Sequence, residues 1–362
     1  MGMVRGLRPD RPAALMGEQN NMPRSRYLAG AILVTGLAAG VPARADVEKT
    51  SMALPAIAPI FASSWIAQDA GIYKEVGLEV SEQVIQGIGS TNAVIAGSID
   101  FANASGVTLT RAAARNQPII GIANTYDRSG FWVVISKKVA ADRHFDPSAP
   151  LAERAKILKG LKFAVGGIQT IPHSYLNAIA KVGGLDPQRD LIVSAIAPPE
   201  TPGAMQTNAV DGASVGPPVI EQVVQDQGAV ILANGTTANP TDPSWLTHVD
   251  ANVVLVKKQT CVDHKSLCVK MGQALVKAAA FIHDHPKETT EMLGKRVRIT
   301  DQKILDDMYK VTLESTPLAP VLDAKGLETA DQLNVEAGFL PADQKLPSYD
   351  KIFTNEYVSG EK

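Results

Sequence analysis

Strand-like and helical runs take turns along this sequence from about residue 64 to residue 256, and then the strands stop. The apolar, β-branched runs are Val80–Ile85, Ile99–Asn103, Ile119–Ala123, Trp132–Ser136, Phe163–Val165, Leu191–Ala195, Gly212–Val215, Ala229–Leu232 and Asn252–Val256. Helical patterns occupy Ser64–Ala70, Thr91–Ala96, Val107–Ala114, Ser174–Val182 and Pro218–Gln225. Such alternation predicts an α/β protein of parallel sheets with crossover helices. From Asp263 onward Leu267–His283, Pro286–Leu293, Asp301–Leu313 and Thr329–Ala337 read as helices alone, a helical C-terminal tail. At roughly 100–200 residues per domain, 362 residues accommodate two such units.

One stretch has a weak internal echo. Ile95-Ala96-Gly97-Ser98-Ile99-Asp100-Phe101-Ala102 returns as Gln206-Thr207-Asn208-Ala209-Val210-Asp211-Gly212-Ala213. In both, a helix ends in a turn, an acid opens a strand, and small residues follow. Each copy falls at the same stage of its own βαβα unit, which predicts two lobes of like topology. Doubly wound lobes hold ligands in the crevice at the carboxyl ends of their strands.

Composition removes several classes of function. The balance of 35 Lys+Arg against 37 Asp+Glu offers no basic face for nucleic acid. A 20% charged content among well-spread apolar residues excludes a disordered or fibrous chain. No apolar run reaches the roughly 18–20 residues of a membrane span. Two cysteines, Cys261 and Cys268, are too few for a four-ligand zinc site or an iron–sulfur cluster. Gly-x-Ser-x-Gly, phosphate-loop and His-Glu-x-x-His patterns are absent. His283 and His285, two apart before Pro286, do not share a helix face and read as partners of the helix dipole rather than as a metal pair. No catalytic set emerges, and neither a cofactor nor a metal is expected.

The amino terminus follows other rules. Arg24-Ser25-Arg26 precedes an apolar stretch from Tyr27 to Val41, and Ala43-Arg44-Ala45 supplies small residues where a signal peptidase reads them. This predicts a secretory signal peptide within residues 1–45, cleaved after Ala45. Its arginines are not adjacent, which favours the general secretion route. Met1–Asn21 carries Asp10, Glu18 and two prolines with no apolar period, so either translation begins at Met22 or the leader is long. Cleavage takes away six arginines and two acids, leaving 317 residues with 29 basic and 35 acidic groups and a net charge near −6.

Several segments carry a resemblance. Trp65-Ile66-Ala67-Gln68-Asp69-Ala70-Gly71-Ile72-Tyr73-Lys74-Glu75-Val76-Gly77-Leu78-Glu79-Val80 is similar to a first helix turning into a second strand. Gly87-Ile88-Gly89-Ser90 resembles a glycine-rich turn opening the next helix. Ala96-Gly97-Ser98-Ile99-Asp100-Phe101 and Leu158-Lys159-Gly160-Leu161-Lys162-Phe163-Ala164-Val165 follow in the expected order. Together they resemble the periplasmic solute-binding proteins of ABC importers of the nitrate/sulfonate/taurine (thiamine-precursor-like) type. One departure is Gly216-Pro217-Pro218, where that family often has an aromatic-acid-proline element. The resemblance implies a type II periplasmic-binding fold: two doubly wound α/β lobes joined by a hinge. Crossings are then expected near Arg128–Phe131 and His248–Asn252, with residues 46–127 plus 251–362 forming the first lobe and 128–250 the second.

Within that frame the candidate ligand contacts are Phe61, Ser63, Gly87, Gly89, Ser90, Thr91, Asn103, Ser105, Tyr126 and Arg128 on one side. Gly167, Gln169, Thr170 and His173 face them from the other. The two glycine turns each follow a strand and open a helix, whose free N–H groups and positive dipole end favour anions; alternatively the glycines only make the turn and Ser90, Thr91 or Thr170 caps it. Arg128 is a candidate two-pronged partner for a carboxylate or sulfonate, or else an inter-lobe ion pair. His173 is either a neutral donor to a ligand oxygen or a surface histidine. Trp65 is expected in the core. In an oxidising periplasm Cys261 and Cys268 are expected to form a disulfide across their short loop.

The resemblance implies an exported, monomeric, non-enzymatic protein that captures a small, anionic organic solute and delivers it to an inner-membrane ABC permease. The alternatives are a thiamine-pathway enzyme of pyrimidine synthesis, which shares the fold, and a receptor-coupled sensor lobe.

Overall fold

A computed structural model describes residues 47–236, 242–243 and 247–359. The expected signal peptide, its cleavage site and Met22 lie outside them. The chain begins β1 (Glu48–Leu54), α1 (Ala62–Asp69), α2 (Ile72–Glu75), β2 (Leu78–Val84), α3 (Gly89–Ala96), β3 (Phe101–Ala104), α4 (Gly106–Ala114) and β4 (Ile119–Arg128). A second run follows: β5 (Trp132–Ile135), α5 (Lys137–Asp142), α6 (Leu151–Lys156), β6 (Lys162–Val165), α7 (Ile171–Val182), α8 (Pro187–Asp190), β7 (Ile192–Ala195), α9 (Thr201–Gln206), β8 (Gly212–Val215), α10 (Val219–Gln227) and β9 (Val230–Asn234). The chain then enters β10 (His248–Lys257) and ends in helices α11 (Lys258–Asp263), α12 (Lys265–Asp284), α13 (Pro286–Val297), α14 (Gln302–Ser315) and α15 (Ala324–Glu336).

Among the described residues, ten strands make two sheets with one wiring plan. The orders are β2-β1-β3-β10-β4 and β7-β6-β8-β5-β9. Every run read as a strand is found as one. β1 was not expected, because Glu48-Lys49-Thr50-Ser51 begins it with polar residues. The sheets are mixed rather than wholly parallel: β10 runs antiparallel to β3 and β4, and β5 antiparallel to β8 and β9. β5 enters the second sheet directly from β4 of the first, and β10 returns to the first sheet from the second, so among the described residues neither strand is reached through a crossover helix.

The weak internal echo has a structural counterpart. A carboxylate oxygen of Asp100 accepts from the Ser51 N–H of β1 at 2.9 Å, and one of Asp211 accepts from the Lys162 N–H of β6 at 2.8 Å. Both acids thus tie the start of a parallel strand to its neighbour, 49 residues earlier in each case. Gly97, at φ +80°, supplies the left-handed turn after α3 that most side chains resist.

Trp65, Tyr73, Met52, Leu78 and Phe101 are buried on the first sheet, and Phe163, Tyr175, Ile135 and Leu158 on the second. The helical tail packs on the first sheet and also reaches α7: Asn177 Nδ2 donates to the Ala337 carbonyl at 3.2 Å. Cys261 and Cys268 are bonded, their α-carbons 5.6 Å apart, tying α11 to α12. Among the described residues no helix is long and apolar enough to cross a membrane.

Candidate functional site

Two glycine turns create the site. One follows β2 and opens α3; the other, Gly166–Thr170, follows β6 and opens α7. Gly87 sits at φ +60°, a conformation that favours glycine. The Ser90 hydroxyl donates to the Gly87 carbonyl at 3.0 Å, and the Thr170 hydroxyl to the Gly167 carbonyl at 2.6 Å. Each hydroxyl closes its own turn and does not cap its helix. Neither α3 nor α7 has a side-chain N-cap; the Gly89 N–H donates to the Gln86 carbonyl at 3.2 Å and Pro172 has no N–H, which leaves Ser90 and Thr91 of α3 and Ile171 and His173 of α7 as the first-turn donors without an intrahelical acceptor. The turns also meet. A Cβ built on Gly167 would stand 3.0 Å from the Gly87 α-carbon, so the two backbones approach as closely as glycine permits.

Behind this contact lies a cavity of about 90 Å³, bounded by both sheets. Pro59, Phe61, Ile88, Ser90, Thr91, Ser105 and Tyr126 line it from the first; Gly166, Thr170, Ile171, Pro198, Ser214 and Gly216 line it from the second. Gly130 and Phe131, in the crossing between β4 and β5, complete the wall. No charged side chain is among the lining residues. At about 10–15 Å³ for each water-sized group, the space suits a solute of few heavy atoms rather than an oligomer.

Of the residues singled out in the sequence, Phe61, Gly87, Ser90, Thr91, Ser105, Tyr126 and Thr170 line the cavity. The others do not. Ser63 is buried in α1, and Gly89 is the first residue of α3, outside the lining. Asn103 belongs to a buried ladder: its Oδ1 accepts from Asn252 Nδ2 at 2.8 Å, and its Nδ2 donates to Ser64 Oγ at 2.9 Å. Arg128 lies at the end of β4 with its side chain 47% exposed, its Nε 3.9 Å from a carboxylate oxygen of Asp127, so its charge is met outside the cavity. Gly167 lies at the rim against Gly87.

His173 is no surface histidine. Its Nδ1 accepts the Gln169 N–H at 3.0 Å, and its ring stands edge-on to Phe339, 4.9 Å between centroids. Burial, with the positive charge of Arg111 nearby, lowers its pKa to about 4. The imidazole is neutral at physiological pH and braces the second turn instead of reaching the cavity. His283 Nε2 lies 2.8 Å from the Thr316 carbonyl, whereas His285 stacks on Phe281.

The sequence reading missed the segment after β1, from Pro55 to Ile60, and the second-sheet positions Pro198, Ser214, Gly216 and Pro217. The first group was hidden with β1 itself. Gly216 and Pro217 carried the one available signal, the departure from the family's aromatic-acid-proline pattern.

Residues 45–297 match the NMT1-like family. The chain belongs to that family. Among solved structures, a protein from Bordetella bronchiseptica RB50 superposes with a TM-score of 0.74 at 20% identity, covering 86% of this chain and 95% of that one. The nitrate-binding protein NrtA of Synechocystis gives 0.63 at 16% identity, covering 86% and 87%. The alkanesulfonate-binding protein SsuA of Xanthomonas axonopodis pv. citri, bound to MOPS, gives 0.62 at 16%, covering 82% and 96%. At these identities the likeness is one of fold, the periplasmic-binding-protein fold. A search of curated proteins returns no match.

Proposed function

We propose that the protein is the exported solute-binding component of an ABC importer. It captures a small organic anion between two lobes, residues 46–127 plus 251–362 and residues 128–250, and delivers it to an inner-membrane permease without chemical change. One observation carries this reading: a small, largely apolar cavity sits where two uncapped helix starts from different sheets converge. Phe61, Ile88 and Phe131 suit the apolar body of a sulfonate or carboxylate, and the helix starts suit its acidic end. Two of the neighbours named above are a nitrate-binding and an alkanesulfonate-binding protein, which agrees with this class. Closure follows from differential affinity: a solute touching both lobes shifts the open–closed equilibrium toward the closed form.

The test is a thermal-shift screen of residues 46–362 against sulfonates, nitrate, aromatic carboxylates and pyrimidines. A cognate solute at a hundred times its Kd raises stability by about 2.7 kcal/mol. A panel in which no small solute shifts the melting temperature would count against the reading. Export has its own test. Mass spectrometry of the periplasmic form is expected to find a chain beginning at Asp46, and a form still containing Leu33 would refute cleavage after Ala45.

A further inference from the structure

Beside the cavity, and sharing Ile88, Thr91 and Thr108 with it, lies a second recess of about 210 Å³. It is a groove between two helices. Ile88, Thr91, Asn92 and Ile95 form one face at the spacing of a helical stripe, and Thr108, Arg111, Ala112 and Arg115 form the other. Gln117 and Gln169 are also in its lining.

The charges in this groove are all of one sign. Arg111 is 3% exposed, yet its partners are neutral: one terminal nitrogen donates to the Gln169 carbonyl at 2.7 Å, the other to Asn334 Oδ1 at 3.2 Å. Its guanidinium also lies 5.7 Å from the Phe339 ring centroid. Asn334 is held in place by donating to the Val107 carbonyl and Thr110 Oγ1. Arg115, one turn along α4, adds a second positive charge on the same face. Among the described residues no carboxylate lies within ion-pair distance of either arginine. Burying a guanidinium without an opposite charge is costly, and a like charge at i+4 adds to the cost. Burial and the neighbouring Arg115 lower the Arg111 pKa to about 10, which leaves it charged at neutral pH. Thr91 Oγ1 is a further signal. It is buried without a hydrogen-bond partner, and Thr91 lines both the recess and the cavity.

We propose that this recess is an anion subsite, in which Arg111, Arg115 and the Thr91 hydroxyl hold a small oxyanion such as a sulfonate, carboxylate or phosphate group. The oxyanion is either the acidic head of a solute whose body lies in the apolar cavity, or a free inorganic anion; the first form rests on the solute-binding reading above. The helix starts provide N–H groups but no net charge, and the recess provides the charge. Because Arg111 belongs to α4 and its acceptor Gln169 to the second-sheet turn, an anion bound here also stiffens the contact between lobes.

The test measures binding by calorimetry at constant ionic strength. Probes are sulfate, phosphate and nitrate, then alkanesulfonates and alkyl carboxylates of increasing chain length, then neutral alcohols of the same lengths. The variants are Arg115→Gln and Asn92→Asp, both at exposed positions, with Arg111→Lys as a third; unliganded melting temperatures check that each folds. At least one oxyanion is expected to bind the wild type; Arg115→Gln should weaken it about tenfold or more by loss of a charged hydrogen bond, Asn92→Asp by a similar factor through like-charge repulsion, and Arg111→Lys by loss of the two-pronged donor geometry. Affinity that rises with chain length assigns the anion to a solute head; inorganic anions binding as well as organic ones assign it to a free ion. Oxyanion affinity unchanged in both Arg115→Gln and Asn92→Asp would overturn the proposal. So would neutral solutes binding while every anion fails, an outcome that leaves solute capture standing and overturns its anionic class. If no probe of any class bound, both would fall.

Discussion

Buried where β10 enters the first sheet, the Asp250 carboxyl accepts from Asn124 Nδ2 at 2.8 Å, and its other oxygen has no partner. Gly326 packs so closely that a Cβ there would stand 2.4 Å from Asp250 Oδ1. Burial first, then the negative charges of Asp323 and Asp127, raise its pKa to about 8. Glu221, also buried, is raised to about 7. An acid whose folded pKa lies above its unfolded value holds its proton more tightly when folded. Its stabilising contribution is complete below the unfolded value and is lost as pH rises through the folded one. His173 acts in the opposite sense, since its lowered pKa costs stability as pH falls below 6.5 toward 4. Thermal stability is therefore expected to fall from about pH 6 to pH 8, by no more than about 1.4 kcal/mol per pH unit for Asp250. Asp250→Asn should flatten that fall in a melting series across pH; an unchanged slope would mean that another group sets it. Arg128 gives a second residue-scale prediction. With its guanidinium outside the cavity, Arg128→Ala should leave solute affinity within about threefold, against the loss of about 1.5–3 kcal/mol expected of a buried charged partner.

At the scale of elements, the disulfide supplies the clearest measurement. It spans seven positions, so closing so short a loop in the unfolded chain adds only about 2–3 kcal/mol. Free-thiol labelling of the unfolded, unreduced protein should find no thiol, and Cys261→Ser with Cys268→Ser should lower the urea unfolding free energy by that amount. A double variant as stable as the wild type would show that packing of Cys268, which is fully buried, carries the α11–α12 junction alone. Elements were also what the sequence displayed best. Apolar runs such as Val80–Ile85 and Gly212–Val215 declare strands because each stripe must be buried. β1 stayed hidden because its first half is polar, and its place between β2 and β3 is set by pairing that no local pattern encodes. The direction of β5 and β10 was equally illegible, since a period of two looks the same in either sense. The glycine turns could be read, because strand, glycine and helix stand in a row. Arg111 could not. In Val107–Ala114 an arginine reads as a solvated face, and the partners that hold it inside, Gln169 and Asn334, lie 58 and 223 residues away.

For the whole molecule, if the proposed lobes close on a solute as inferred above, the contact between the glycine turns is expected to set how tightly they can do so. Gly87 and Gly167 belong to turns that follow β2 in one sheet and β6 in the other, so any added atom between them acts on the lobes as bodies. Gly87, at φ +60°, is a poor place to test this, because a side chain there would strain the turn itself. Gly167 has no positive φ, and its added Cβ would meet the Gly87 α-carbon and Thr170 Cγ2, each at 3.0 Å. Gly167→Ala therefore wedges the contact with Gly87, provided that the Thr170 methyl in its own turn gives way by a few tenths of an ångström, which the unliganded melting temperature checks. Overpacking of this size costs about 1–3 kcal/mol. Because solute binding in the proposed mechanism draws on the closed form, that cost is read as an affinity loss of about 5- to 150-fold for the solute found by the thermal-shift screen. Small-angle scattering should show the same change from the other side. Wild-type protein at saturating solute should contract relative to its unliganded form, and Gly167→Ala at the same solute concentration should stay nearer the unliganded radius. A variant that bound as tightly and contracted as far as the wild type would mean that this contact does not limit closure, and the lobes would have to be held at another surface, of which the packing of α15 against α7 is the first to examine.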